Sequence, residues 1–414
     1  MKWGLGTCPR HAIACLARRV QGSALAFLLL ALTLVIPSRS ADAESFAISL
    51  VDNRAFVEVE VNGQGPFAFL LDTGSSGTTI DDSLRQRLAL RPVGAGTGSG
   101  AGESRVGYAT VHLDSIALGR ITLDAMDVPS FDDSLLSRAI GFPHFDGVLG
   151  AELFKDHVVS IDAARAQLSV QDAEQFQPGV GAASTKITFN ADDMPVVDGA
   201  VNGIAARFEV DTGDRSSLTL FGPFWRAHGL DTAVGPTVTA MTGFGAGGPI
   251  RGIVGRATSF SIGGVEVPAP VTRLSLQKAG AFTRADYAGS IGMGILKRFV
   301  VSFDYPHHRM WLLRSLDFGQ ADRYDRSGAW LGLGGADYLT VMDLVEGGPA
   351  ASAGVRVGDH VVALDKMAAS ASSLFLVREF LRRPDIGAAT FHVARDGAPM
   401  QFVLRLRDFI APPH

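Results

Sequence analysis

The sequence predicts a mainly β protein in which one lobe is built twice, with a smaller α+β domain at its C-terminus. Three observations predict it. First, an Asp-Thr-Gly triplet follows a strand-like apolar run at two places: Phe67 to Leu71 lead into Asp72-Thr73-Gly74, and Ala206 to Val210 into Asp211-Thr212-Gly213. Second, the surroundings repeat. Gly147-Val148-Leu149-Gly150, Leu153-Phe154-Lys155 and Val158-Val159-Ser160-Ile161-Asp162 return as Gly289-Ser290-Ile291-Gly292, Ile295-Leu296-Lys297 and Val300-Val301-Ser302-Phe303-Asp304, at a constant offset of 142 (292 − 150). Two copies and no more argue for a two-lobed body rather than a solenoid. Third, beyond a polar, charged stretch at Ser315 to Ser327, strands alternate with short helical segments.

The 414 residues suffice for two or three domains with sizeable cores. Apolar residues make up 47% and charged residues 19%, the balance of a globular chain rather than a disordered one. A net charge of −5 offers no basic surface for nucleic acid.

Residues 1–43 read as an export signal. Lys2, Arg10, Arg18 and Arg19 form a basic flank, Ala24 to Ile36 an apolar run too short for a membrane span, and Ala41-Asp42-Ala43 a small-x-small cleavage site. The alternative is an uncleaved segment anchored in an inner membrane. Cys8 and Cys15 both fall inside this segment, so the mature chain would hold no disulfide and no thiol. That fits a bacterial periplasmic protein better than a eukaryotic secreted one, which usually carries bridges, and leaves a periplasmic or secreted location expected once the signal is removed.

Within the first lobe, Phe56-Val57-Glu58-Val59-Glu60-Val61 alternates as a strand does, and Asn62-Gly63-Gln64-Gly65 turns it into the run before Asp72. The repeat has Val196 to Val201, Asn202-Gly203, then Ala206 to Val210. Short helices are expected at Asp82 to Leu90 and Pro223 to His228. Gly94 to Gly102 and Thr242 to Gly248 are glycine-rich; with no Gly-Lys-Ser/Thr after them they are not phosphate loops, and a mobile lid and a plain flexible loop both remain open. Hairpins at Ile161 to Val170 and Phe303 to Trp311 close the lobes, and Asp172 to Gly181 joins them. His307 and His308 sit at a turn with no partner spaced to bind a metal, so no metal and no cofactor is expected. There is no His-Glu-x-x-His and no Gly-x-Ser-x-Gly, which disfavours zinc and serine hydrolases.

Asp72-Thr73-Gly74-Ser75-Ser76 after an apolar strand, the glycine-rich stretch, the later Val148-Leu149-Gly150, and all of it twice, resemble the pepsin-like and retropepsin-like aspartic proteases over roughly residues 46–314. The resemblance implies a bilobal acid-protease β-barrel fold, with lobes at 44–175 and 182–315, and an aspartic endopeptidase acting on polypeptides. One carboxylate comes from each lobe, Asp72 and Asp211. Held close, the pair shares a proton: the ionised member activates water and the protonated one polarises the scissile carbonyl. Because both lobes lie in one chain, the site needs no second copy. The resemblance also implies that Thr73 and Thr212 hydrogen-bond across the interface, that Gly74 and Gly213 let backbone approach the carboxylates, that Ser75 donates to the outer oxygen of Asp72, and that Val148-Leu149-Gly150 and Ser290-Ile291-Gly292 pack behind the loops. The family's lid carries a tyrosine; Tyr108 lies outside the glycine run. Asp214 departs from the family's Ser, Thr or Ala. A third carboxylate there would raise the pair's pKa values, turn to solvent, or weaken the enzyme. The rival class is a peptide-binding scaffold on a weak or inactive protease body.

Residues 316–327 read as a linker. Residues 328–410 resemble a PDZ domain of the bacterial type: Trp330-Leu331-Gly332-Leu333, the run Val345 to Asp359 with Pro349 opening a helix and Gly354 closing it, an amphipathic helix at Ser373 to Arg383, and strands from Ala389 to Leu406 around Asp396-Gly397. This implies that a peptide or protein C-terminus docks by strand addition, with the backbone amides of Leu331, Gly332 and Leu333 facing its carboxylate.

Overall fold

The computed structural model describes residues 43–142 and 145–412; apart from Ala43, the expected leader, with Cys8 and Cys15, lies outside them. In strand Arg54–Val61 the alternation works as read: Val57, Val59 and Val61 are buried while Glu58 and Glu60 face solvent. The chain turns at Asn62-Gly63 and returns antiparallel as Gln64–Leu71, which delivers Asp72. Phe69 on this strand is fully buried, and so is Phe208 on the repeat's strand Ile204–Asp211, edge-on to Phe260 at 5.2 Å. Cutting either to Ala would cost about 3–5 kcal/mol.

The duplication holds strand for strand. The first lobe's main path runs Pro92–Gly98, Val106–Leu113, Met126–Phe131, Thr79–Asp81, Gly147–Leu149, Gln64–Leu71, Arg54–Val61, Ile116–Leu118, Ile121–Leu123. The second lobe's runs Val238–Gly245, Gly248–Arg256, Val271–Ser275, Leu218–Leu220, Gly289–Gly292, Ile204–Asp211, Pro195–Val201, Ser259–Ile262, Val265–Pro268, in the corresponding order. A further sheet fastens the lobes: His157–Asp162 of the first pairs antiparallel with Phe299–Asp304 of the second. Ser160 stands opposite Ser302, its own repeat 142 residues on, with the two hydroxyls 2.7 Å apart. The pseudo-two-fold axis therefore passes between these serines.

In each lobe a short strand separates the one entering Asp-Thr-Gly from the one leaving it. Gly147–Leu149 lies parallel to Gln64–Leu71 and antiparallel to Thr79–Asp81; Gly289–Gly292 does the same between Ile204–Asp211 and Leu218–Leu220. Both triplets are thereby held as loops at a sheet end, as the packing expected of residues 148–150 and 290–292 requires.

Several elements differ from expectation. The two short helices are Asp82–Arg87 and Gly222–Ala227, each ending sooner than read; the first is capped by Asp81, which accepts the Ser83 N–H. The glycine-rich stretches are β-hairpins: Pro92–Gly98 with Val106–Leu113, and Val238–Gly245 with Gly248–Arg256. Tyr108 belongs to the first of these after all. It sits on the second strand, its ring over Gly96 and against Phe131 at 5.3 Å, because pairing across the hairpin brings it beside the glycines. The stretch 315–328 has no regular element yet is firmly packed: the Asp322 carboxylate accepts the Val271 N–H and its carbonyl accepts from Arg256.

The C-terminal region has its own core, including Leu331, Val341, Val361, Val377 and Phe391. Its sheet runs Ala329–Leu333, Leu339–Leu344, His360–Leu364, Ala388–Arg395, Ala398–Arg405, which leaves Ala329–Leu333 on an edge, and helices Pro349–Ala353 and Leu374–Arg382 complete it. One first-lobe helix, Ser134–Ile140, packs against that edge strand.

Candidate active site

The two Asp-Thr-Gly loops meet across the pseudo-two-fold. The Thr73 N–H donates to Thr212 Oγ1 at 2.9 Å, and the Thr212 N–H to Thr73 Oγ1 at 3.1 Å. Each hydroxyl then donates onward into the opposite lobe, Thr73 to the Val210 carbonyl and Thr212 to the Leu71 carbonyl, both at 2.8 Å. Both threonines are buried, so this network is shielded from competing water.

The network brings Asp72 and Asp211 face to face within hydrogen-bond reach. Each carboxylate rests against the other lobe's glycine. A Cβ on Gly74 would lie 2.5 Å from Asp211 Cγ, and one on Gly213 would lie 2.4 Å from Asp72 Oδ2. Only glycine leaves room at these two positions. Asp72 Oδ1 accepts the Gly74 N–H at 2.7 Å and Asp211 Oδ1 accepts the Asp214 N–H at 2.9 Å.

Burial pushes the Asp72 carboxyl above the usual range, partly offset by N–H donors and by the charge of Arg54. Burial pushes Asp211 well above that range, and the negative charges of Asp72 and Asp214 add to the effect. The pair thus favours one proton between them.

Ser75 does not serve Asp72. Its hydroxyl donates to the Gly77 carbonyl at 2.7 Å, closing its own turn, and the backbone N–H of Gly74 takes the carboxylate instead. Asp214 neither faces solvent nor goes unpaired. It is buried and bonded to Arg273 at 2.8 Å, to the Ser216 N–H and hydroxyl at 2.9 and 2.7 Å, and to the Thr219 hydroxyl at 3.1 Å. Burial opposes its ionisation, yet Arg273 and these donors hold its carboxyl below the usual range.

Sequence reasoning missed a set of buried charges around the second loop. Arg54 Nε donates to the Gly213 carbonyl at 2.7 Å. Its guanidinium also meets Asp52, as do Arg215 at 2.6 Å and Arg378 at 2.9 Å. Burial works against Asp52 ionising, but the three cations hold its carboxyl far below the usual range. The available signal was a charged residue inside an apolar strand: Arg54 before Ala55-Phe56-Val57, and Arg273 in Val271–Ser275.

The hairpins from the two lobes join at their tips. The Gly102 N–H donates to the Ala246 carbonyl at 2.8 Å and the Ser104 N–H to the Gly247 carbonyl at 3.0 Å. The Ala281 N–H donates to the Gly100 carbonyl at 3.0 Å. A cavity of about 530 Å³ lies elsewhere, lined by Arg215, Arg273, Lys297 and Arg382 among others but not by Asp72 or Asp211. Among the described residues no cluster of three His, Cys, Asp or Glu side chains is arranged to hold a metal.

The sequence-predicted contact residues of the C-terminal domain lie at the edge strand. Leu331 is buried and its carbonyl accepts from Arg378 at 2.6 Å; Gly332 packs against the Arg138 carbonyl and Met342. Leu333 is only partly buried.

No curated protein matches the chain. Among solved structures it is similar to the aspartic proteinase from Irpex lacteus, at 15% identity over 67% of this chain and 99% of that one, with a TM-score of 0.44. Residues 57–153, which include the first Asp-Thr-Gly and the strand behind it, match the aspartyl protease family, and in this segment the chain is similar to that family.

Proposed function

We propose that the protein is an aspartic endopeptidase in which Asp72 and Asp211 form the catalytic pair. The observation that carries this reading is the meeting of the two carboxyls across the lobe axis, locked by Thr73 and Thr212. Asp211, the more strongly raised of the two, holds the proton and polarises the scissile carbonyl. Asp72, raised less because N–H donors and the charge of Arg54 favour its charged form, is the ionised member and takes a proton from the attacking water. The water oxygen adds to the carbonyl carbon; the amine leaves with a proton from the pair, which ends with one proton as it began. The joined hairpin tips act as a lid that opens for an extended polypeptide and excludes bulk water when closed. One chain supplies both carboxyls, so the site is complete in a monomer.

Residues 328–410 act as a PDZ domain that binds a polypeptide C-terminus along the Ala329–Leu333 edge. The element order and the edge position of that strand in its sheet support this. The chain is exported and processed after Ala43, working in the periplasm or outside the cell.

The test is cleavage of an unfolded protein substrate across pH, with Asp72→Asn and Asp211→Asn. Each variant should lose cleavage by at least a thousandfold while keeping its fold. Robust cleavage by either would refute the pair. A wild-type protein inert at every pH, yet binding peptides, would be a scaffold. Export is checked by the N-terminus of protein recovered from outside the cytoplasm, which should begin at Glu44.

A further inference from the structure

The groove between edge strand Ala329–Leu333 and helix Leu374–Arg382 is already occupied along Leu331 and Gly332, while a cavity of about 80 Å³ stays open beside Ala329, Trp330, Arg378 and Arg382. Its occupant is the last turn of the first-lobe helix Ser134–Ile140. Arg378 makes the join, donating from Nη2 to the Leu331 carbonyl at 2.6 Å and to the Ala139 carbonyl at 2.7 Å. Its other terminal nitrogen lies 3.4 Å from the Ile140 carbonyl and 2.9 Å from Asp52. Carbonyls in the last turn of a helix have no partner within it and favour a nearby cation. On the flanks, the Arg138 carbonyl lies 3.2 Å from where a Cβ on Gly332 would stand, and Leu374 packs onto Gly141. The Leu331 carbonyl, which an added strand would pair with, is thus tied to a side chain and through it to the first lobe.

Two features indicate what the groove is built to receive. An edge strand accepts an extended chain once its outer backbone groups are released. Beside it, the guanidiniums of Arg54, Arg215 and Arg378 share the single carboxylate of Asp52, and Arg215 and Arg378 also contact the Trp330 ring at 5.1 and 5.3 Å. Asp214 also acts on Arg54 and Arg215, which leaves Arg378, nearest the groove, as the cation a terminal carboxylate would meet. The same domain also holds the second lobe's hairpin. Asp343 accepts the Met241 N–H at 3.1 Å and pairs with Arg251 at 3.0 Å. The C-terminal domain therefore grips the first lobe through its groove and the second lobe through Asp343.

We propose that the resting protein keeps this groove shut with its own residues 138–141, and that a polypeptide C-terminus enters by displacing them, loosening the clamp that ties the first-lobe helix to the second-lobe hairpin. The proposal rests on the reading of this domain as a peptide binder. Displacement also loosens Arg378 from Asp52, and a second partner of Asp52, Arg54, holds the Gly213 carbonyl, so occupancy reaches the loop carrying Asp211.

The test is a reversible lock. A Cβ at Gly141 would lie 3.6 Å from Leu374 Cβ, inside the disulfide range of about 3.5–4.5 Å. Gly141→Cys with Leu374→Cys, in a chain carrying Cys8→Ser and Cys15→Ser, should fasten the helix into the groove when oxidised and release it when reduced. Gly141→Cys alone controls for strain, since Gly141 has a φ of 85°. Labelled hexapeptides ending in Val, Leu or Phe, as free acids and as amides, are titrated by fluorescence anisotropy. Cleavage of an unrelated unfolded substrate is followed in parallel. The reduced form should bind free acids at least tenfold more tightly than the oxidised form and more tightly than amides, and bound peptide should speed cleavage only in the reduced form. Equal binding in both redox states overturns the displacement while leaving the peptide-binding reading intact. Binding in neither state, with the fold retained, overturns both; the activity assigned to Asp72 and Asp211 is judged separately by their Asn variants.

Discussion

Thr73 and Thr212 each accept the other's backbone N–H and each donate to a carbonyl in the strand that feeds the other's loop. Two residues from different halves of the chain therefore satisfy four buried backbone groups with two hydroxyls. Thr73→Val keeps the shape but leaves the Thr212 N–H and the Val210 carbonyl unpaired in a dry interface. The expected cost is about 2–4 kcal/mol, read by urea unfolding. Activity should fall at least a hundredfold, because the lost bonds set the spacing of the carboxyls. Thr73→Ser, which keeps the hydroxyl, should recover most of both.

Gly74 and Gly213 face a tighter limit. A methyl at either position would press into the opposite carboxylate, which cannot swing away because N–H donors hold it. Gly74→Ala should therefore fold but cut kcat by two orders of magnitude or more with little change in KM. A variant with unchanged kcat would mean that the carboxyls are less closely opposed than the structure has them.

The repeat, the paired turns and the loop triplets were legible in the sequence because they are local: alternation sets which side of a strand is buried, and Asn-Gly sets the turn. The constant offset marked the duplication, and the structure shows the two copies meeting where Ser160 faces Ser302. What was not legible depends on distant partners. The guanidinium that neutralises Asp214 lies 59 residues away, and that of Arg54 reaches a carbonyl 159 residues away. Spacing carries no trace of either. Ser75 was misread for the opposite reason: its hydroxyl had a nearer acceptor in Gly77 than the carboxylate its position suggested. The filled groove was hidden as well, since its occupant comes from another domain.

Asp214 and Arg273 make a buried pair whose halves should not be separable. Arg273→Met alone leaves a carboxylate without its counter-ion and should destabilise by about 3–5 kcal/mol. Adding Asp214→Ser should restore much of that loss, a coupling that a double-mutant cycle measures. The folded-state pKa of Asp214 is depressed, so the pair's contribution is present above the unfolded carboxylate pKa and is lost as pH falls through the folded value. Asp214 also raises Asp211, so Asp214→Asn should bring the upper limb of the pH–rate profile down: with less negative charge nearby, Asp211 gives up its proton at lower pH. An upper limb that stays in place would show that Asp214 is fully neutralised by Arg273.

Asp133 supplies a second, independent pH dependence. It precedes helix Ser134–Ile140, is buried, and makes no capping bond to that helix. Burial, and then the charges of Asp81, Asp132 and Asp82, push its carboxyl up to about 7. The folded pKa is raised, so the protein binds this proton more tightly folded than unfolded. Stability is therefore fully present below about pH 4 and is lost as pH rises through about 7. The loss by pH 8 is on the order of 2–4 kcal/mol at most. Asp133→Asn keeps the shape and removes the charge. It should make the protein more stable than wild type at pH 8 and nearly equal at pH 4, measured by urea unfolding at both. A substitution equally neutral at both pH values would refute a raised Asp133 carboxyl.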